Sequence, residues 1–280
     1  MRARTICTAL LLVTGACFGR GMAAEPAAGE WPPHVTKMNE KKWNGPDWPV
    51  MRPRAEATLR GGAEAIVALV DAMPEPGTAP SFMPRYTLSA IGAMVGAPGK
   101  EKERGVYAEA LSAALDKDRP KEVQKFILLQ LQFVGDPRAA NAVARFLERD
   151  RDLAEVAVMA LKRMGGASST DALRKALPAA KEPTVRAAIL RALGELGDAE
   201  SAPALVAALS DSSRDVRIAA AHGLAALADP ASADLLRKAA DVSAPFERGQ
   251  MRAAYQQYLK NRLAAAKKDG ASKAPTPRDY

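Results

Sequence analysis

Glu200–Pro230 reads ESAPALVAALSDSSRDVRIAAAHGLAALADP. Ala202, Leu205, Val206, Ala208 and Leu209 form one apolar stripe, and Val216, Ala219, Ala220, Leu224 and Leu227 form a second. Both follow the i, i+3, i+4, i+7 spacing of an amphipathic helix. A polar turn separates them. Neither helix can hide its stripe alone, so copies of this hairpin have to stack.

The same unit recurs upstream. Its closing junctions fall at Gly135-Asp136, Gly165-Gly166, Gly197-Asp198 and Ala228-Asp229, spaced 30, 32 and 31 residues apart. The second helix opens at Val123, Val156, Val185 and Val216, positions expected to point into the stack. A first-helix leucine returns at Leu147, Leu177 and Leu209. Glycine after a helix adopts the left-handed conformation that closes the last turn without a steric penalty. Asp136 and Asp198 are expected to cap the helix that follows, as are Ser168, Ser169 and Thr170 in the third copy. Pro137 and Pro230 suit a helix start, where no N–H partner is needed.

The stretch APALVAALSDSSRDVRIAAAHGLAALAD resembles a HEAT repeat of the short bacterial type, the kind found in phycobilisome lyases. The match is carried by Ala202-Pro203-Ala204-Leu205, Leu209, Asp211, Val216-Arg217, Ala220 and Leu224. Residues 171–198 agree at Val185-Arg186 and Leu193, with Lys181 near the usual Asp. The copies at 119–136 and 137–166 keep the helical period without the Val-Arg pair. The resemblance implies an all-α chain, a right-handed α-α superhelix (HEAT-like solenoid) of about six helix pairs. These are expected at 54–74 with 82–95, 100–117 with 119–134, 137–149 with 153–165, 168–180 with 183–196, 199–211 with 214–228, and 231–242 with 246–267.

Composition fits a stack better than a compact core. Aromatic content is 5%, natural for helices packed through alanine and leucine. The formal net charge is +8, about +5 without Arg2, Arg4 and Arg20, a spread excess rather than a nucleic-acid stripe. Cys7 and Cys17 are the two cysteines, and His34 and His222 the two histidines, so neither a zinc site nor a Ser/His/Asp set is expected. No cofactor is implied.

Residues 1–24 read as an export signal. Arg2 and Arg4 start it, Ile6 to Val13 supply a short apolar run, and cleavage is expected near Ala23 or Ala24. The run is far below the roughly 20 residues of a membrane span. An internal first helix and lipidation at Cys17 are the alternatives. Residues 25–53 form a Trp/Pro-rich arm holding Trp31, Trp43 and Trp48, with prolines at 32, 33, 46, 49 and 53 that argue against a long helix. Two readings of the arm stand: a cap over the first helix pair, or a ligand-stacking patch for a sugar ring. Residues 54–267 form the solenoid, in which Gly61-Gly62 weakens the first helix or permits a close contact. Residues 268–280 form a basic tail expected to be disordered.

The helix EVQKFILLQLQFVG is the most apolar. Phe126, Ile127, Leu128, Leu129, Leu131, Phe133 and Val134 cover most of its circumference, so it is expected to be buried at the centre of the stack. Gln130 and Gln132 are its polar exceptions, and the Leu-Gln-Leu-Gln run is similar to exported HEAT-repeat proteins.

Arg186 and Arg217 hold one place in consecutive copies. They read either as an arginine row for anions or as a structural ladder in which Arg217 bonds Asp211 or Asp215 and the ends of adjacent helices. The second-helix register places Lys125, Leu129, Gln132, Lys162, Arg191 and His222 on a mildly basic concave wall, a candidate partner-binding stripe. The expected function is a non-enzymatic scaffold outside the cytoplasm, periplasmic or secreted, binding another envelope or secreted protein and neither nucleic acid nor, in its mature form, the membrane interior. The alternatives are carbohydrate binding beside a secreted sugar-degrading enzyme, motivated by the arm tryptophans, and bilin-lyase-like activity, implied only by the resemblance.

Overall fold

The computed structural model describes residues 48–73, 83–242 and 244–268. Among them are thirteen α-helices and no strand. The chain belongs to the all-α solenoid class and divides into two compact units, residues 1–138 and 139–280. The signal-like stretch 1–24, most of the Trp/Pro-rich arm and the tail beyond Lys268 lie outside the described residues.

Unit 1 holds α1 (Trp48–Arg60), α2 (Gly62–Asp71), α3 (Met83–Val95), α4 (Glu101–Leu115) and α5 (Lys121–Val134). In one layer α1 packs on α3 and α3 on α5; in the other α2 packs on α4. The two expected pairs are therefore α2 with α3 and α4 with α5, and α1 is an additional helix. The single helix expected over 54–74 is two helices. The chain reverses at Gly62, whose φ of +70° carries no steric penalty in glycine. The end of the arm is helical despite its prolines. Pro49 stands in the first turn, where no N–H is needed, and only Pro53 interrupts the ladder. Met51, Ala55, Ile66, Val70, Leu88, Ile91 and Leu111 are buried between the layers.

Among the described residues, Tyr107 is the largest fully buried side chain. Its hydroxyl donates to the Leu88 carbonyl at 2.8 Å and lies 3.2 Å from Gln130 Oε1. Gln130 Nε2 in turn is 3.4 Å from Ser89 Oγ, so this glutamine ties α5 to α3 through side chains rather than backbone. Burial drives the Tyr107 phenol far above its ordinary range.

Helix α5 corrects an expectation. Val123, Ile127, Leu128, Leu131 and Val134 are buried, but Leu129 is 44% and Phe133 59% exposed. In a two-layer stack a helix is covered by the opposite layer and by its lateral neighbours, while its outward side has no third layer. Phe133 rests on bare backbone instead: a Cβ at Gly92 would stand 3.6 Å from its ring.

Unit 2 holds α6 (Ala140–Ala144), α7 (Arg151–Met164), α8 (Gly166–Ala176), α9 (Pro183–Glu195), α10 (Ala202–Ala208), α11 (Arg214–Leu227), α12 (Ala233–Val242) and α13 (Pro245–Lys268). These are the four expected pairs. The second helices α7, α9, α11 and α13 pack in series, and α6 packs on α8 across the other layer. Val185 and Val216 are buried as expected, as is Val123 in unit 1, while Val156 is half-buried. Leu205 is fully buried and Leu209 packs partly buried against the same core as Leu190, Ala219, Leu224, Leu236 and Tyr258. First helices are short because 3-10 turns at Pro137–Ala139, Ala199–Ser201 and Pro230–Ser232 take up their first residues and one at Leu177–Ala179 the last of another.

Two glycines let α9 and α11 meet. A Cβ on Gly194 of α9 would lie 2.3 Å from Gly223 Cα of α11, so these backbones touch directly. Gly135 closes α5 at φ +64°, and Ala228 holds the equivalent place after α11 at φ +53° without glycine's freedom. Two capping expectations are corrected. Asp136 bonds the Arg138 N–H at 3.0 Å, but Asp198 makes no capping bond; it lies 3.1 Å from Arg174 Nε, drawn off by the charge. Ser168, Ser169 and Thr170 lie inside α8, because Gly165 and Gly166, both at positive φ, start that helix earlier.

Candidate partner-binding face

Charged side chains first have to be divided into those that hold repeats together and those left over. Arg186 reaches forward one repeat and bonds both carboxylate oxygens of Asp211, at 3.0 and 2.9 Å. Where Arg186 uses the single nitrogen Nη2, Arg217 donates to Glu247 from two, Nε at 2.6 Å and Nη2 at 2.8 Å, and also donates to the Asp211 and Ser212 carbonyls at 2.7 and 3.1 Å. Arg174 contacts Asp171 at 2.6 Å and also pairs with Glu200. The ladder reading therefore holds for Arg186 and Arg217, and the anion-row reading does not. A fork that donates two parallel bonds to a carboxylate fixes orientation as well as distance. The Arg217 bonds hold the Glu247 carboxyl below its ordinary value, outweighing the opposing effect of burial.

Unit 1 uses the same device: Asp71 accepts from Lys117 at 3.0 Å and Arg119 at 2.5 Å, and Arg138 folds onto Asp136 at 2.8 Å over Gly105. No side chain could occupy the Gly105 position without displacing that guanidinium.

The second helices of unit 2 also carry a row in register. Lys162 on α7, Arg191 on α9 and His222 on α11 occupy one register, six residues after Val156, Val185 and Val216. Arg191 is exposed, and Lys162 and His222 are half-buried. Glu195, one turn beyond Arg191, bonds Lys162 at 2.9 Å and joins α9 to α7. Burial, and then the Arg191 charge, push the His222 imidazole below its ordinary value; a hydrogen bond with Gln250 of α13 and the Glu195 charge act in the opposite direction. One turn before Lys162 and Arg191 stand Met159, 42% exposed, and Ala187 and Ala188, half-buried. The row is thus a charged edge beside a floor of small and flexible apolar side chains.

The stripe expected from sequence is distributed over both units. Lys162, Arg191 and His222 come together in unit 2. Lys125, Leu129 and Gln132 belong to α5 of unit 1, Leu129 exposed and the other two half-buried. Trp31 and Trp43 lie outside the described residues, and Trp48 opens α1. Sequence reasoning missed Glu195, Met159 and Gln250. The signal for Glu195 was present, since i and i+4 share a helix face. Gln250 comes from a helix outside the 31-residue register. On the other layer of unit 2, an open cleft of about 560 Å³ runs between α6 and α8, rimmed by Asn141, Arg145, Glu148, Asp171 and Lys175.

The family described as HEAT repeats matches residues 108–189 and 170–256, together more than half of the 280 residues. The chain belongs to the HEAT-repeat family. Both units contain HEAT-matched helices. No curated relative matches the chain. Among solved structures it is similar to human deoxyhypusine hydroxylase in complex with glycerol, at 19% identity over 75% of this chain and 91% of that one, TM-score 0.34. It is also similar to the complex of CpcE and CpcF of phycocyanin lyase from Nostoc sp. PCC7120. There the identity is 16% over 88% of this chain and 94% of that one, TM-score 0.40. The chain is a HEAT-repeat helical scaffold.

Proposed function

We propose that this HEAT-repeat chain is a non-catalytic scaffold that holds another protein against the second-helix face of unit 2, outside the cytoplasm. The supporting observation is the row itself. Lys162, Arg191 and His222 repeat in register on successive helices; Lys162 is bonded to Glu195 of the next repeat, while Arg191 is exposed and pairs with no carboxylate among the described residues. Faces of stacked helices present one residue per repeat at regular intervals, and such surfaces bind extended partners. Export rests on residues 1–24, with their basic start, short apolar run and small residues before Ala24. The partner is then an envelope or secreted protein.

Affinity capture with the full chain tests this. The wild type should recover a defined protein from envelope extract at low salt, and the Lys162→Glu/Arg191→Glu pair should lose it with its helical signal intact. Recovery of nothing above background, or recovery unchanged by the pair, refutes the reading. Fractionation of the tagged full chain tests location, and a cytoplasmic product refutes export.

A further inference from the structure

We infer that the Lys162–Arg191–His222 row receives an extended, carboxylate-bearing segment of the partner, which deepens and rests on the scaffold reading above. The structure holds a carboxylate there already. Glu195 reaches from α9 to Lys162, to which it is bonded at 2.9 Å, and its charge also acts on the His222 imidazole. A group of that charge and size therefore fits the row, and Glu195 keeps Lys162 partly neutralised until a partner carboxylate competes for it. Arg191 is exposed, and among the described residues no carboxylate pairs with it. Its planar fork is the strongest carboxylate receptor on the face.

Spacing selects the conformation of the occupant. Packed helices stand about 8–10 Å apart. A chain in the polyproline-II conformation rises about 3.1 Å per residue with three residues per turn, so every third residue points the same way and meets a new helix. A helical segment, rising about 1.5 Å per residue, would need six or seven residues for the same step. The floor beside the row consists of Met159, Ala187 and Ala188, low enough for a backbone to lie close and adaptable at Met159. A carboxylate every third residue along such a chain thus addresses the Lys162, Arg191 and His222 positions in turn.

The probe is a fluorescein-labelled peptide of about four Glu-Ser-Ser triplets, whose three-residue period in the polyproline-II conformation matches the helix spacing. It is titrated by anisotropy into the full-length protein. Replacing Glu by Gln in the peptide should weaken binding about tenfold or more, as should Arg191→Glu or Lys162→Glu in the protein. Arg145→Glu, in the cleft of the other layer, should change nothing. Glu195→Gln should tighten binding several-fold, because it removes the internal competitor; a purely structural Lys162–Glu195 pair gives no such gain. Equal binding of the Gln peptide, no gain from Glu195→Gln, or preferential occupation of the row by a sulfated polysaccharide overturns the inference. Capture of a partner that depends on Lys162 and Arg191, together with no preference for the Glu peptide, leaves the scaffold reading standing and removes this one alone.

Discussion

Replacing Gly194 by alanine adds a single carbon at the closest approach of α9 and α11. That carbon would lie 2.3 Å from Gly223 Cα, 2.5 Å from its carbonyl oxygen and 2.7 Å from its carbonyl carbon. All three are backbone atoms, so no side-chain rotation relieves the overlap. Reaching ordinary contact requires the helices to part by about 1 Å, which loosens the neighbouring Leu190, Leu205 and Leu224 packing. Overpacking of this kind costs about 1–3 kcal/mol, and a backbone-on-backbone clash belongs at the upper end. Alanine's better helix propensity returns about 1 kcal/mol. The expected net loss is about 2 kcal/mol, or a fall of about 4–8 °C in Tm for a domain of this size. Gly249→Ala is the matched control: it lies within α13 with nothing inside 4 Å of the added carbon. It should gain about 0.5–1 kcal/mol from propensity alone. Thermal melts followed by circular dichroism at the helix band compare the two. If Gly194→Ala melts at or above the wild-type temperature, the direct backbone contact is wrong, and with it the account of how these repeats come so close.

Three further outcomes follow from the same geometry. Ala228 holds φ +53°, so Ala228→Gly should raise stability by about 0.5 kcal/mol, the steric relief exceeding the added unfolded-state entropy, as read from the denaturation midpoint. Glu247 is held below its ordinary value of 4.5 by Arg217, and Asp71 and Asp136 are held below 3.8 by their own cations. The stability these three contribute is complete above the ordinary values and is lost as pH falls through the depressed ones. Urea midpoints should therefore drop below about pH 4.5, and Glu247→Gln should cost about 2 kcal/mol at neutral pH while flattening part of that drop. His222 should titrate below 6.5 in an NMR pH series, with its signal assigned by its disappearance in His222→Gln; a midpoint at or above 6.5 contradicts its burial beside Arg191.

Each feature that could be read in advance was periodic and local. Val123, Val185 and Val216 are buried because three helices carry the same stripe, and Gly135 and Gly197 take positive φ because a helix has to end there. That Arg217 belongs to a structural ladder was legible for the same reason, although Asp211 or Asp215 was expected as its carboxylate and the structure uses Glu247 of the next repeat. The candidate face was half legible. Register brought Lys162, Arg191 and His222 into line, while Glu195, which bridges to Lys162, was passed over although it stands one turn beyond Arg191 on the same helix face.

The fold class and repeat length are properties of the chain itself, since hydrophobic spacing and helix-ending residues act within one hairpin and repeat every 30 to 32 residues. Which sides of those helices meet water is a property of their neighbours. Leu129 and Phe133 look like core residues in sequence and stand exposed because no third layer covers α5, and Gly194 and Gly223 look like helix weaknesses and are the place where two backbones meet. Periodicity says that a helix has a face to bury; only the packed assembly decides how much of it finds cover.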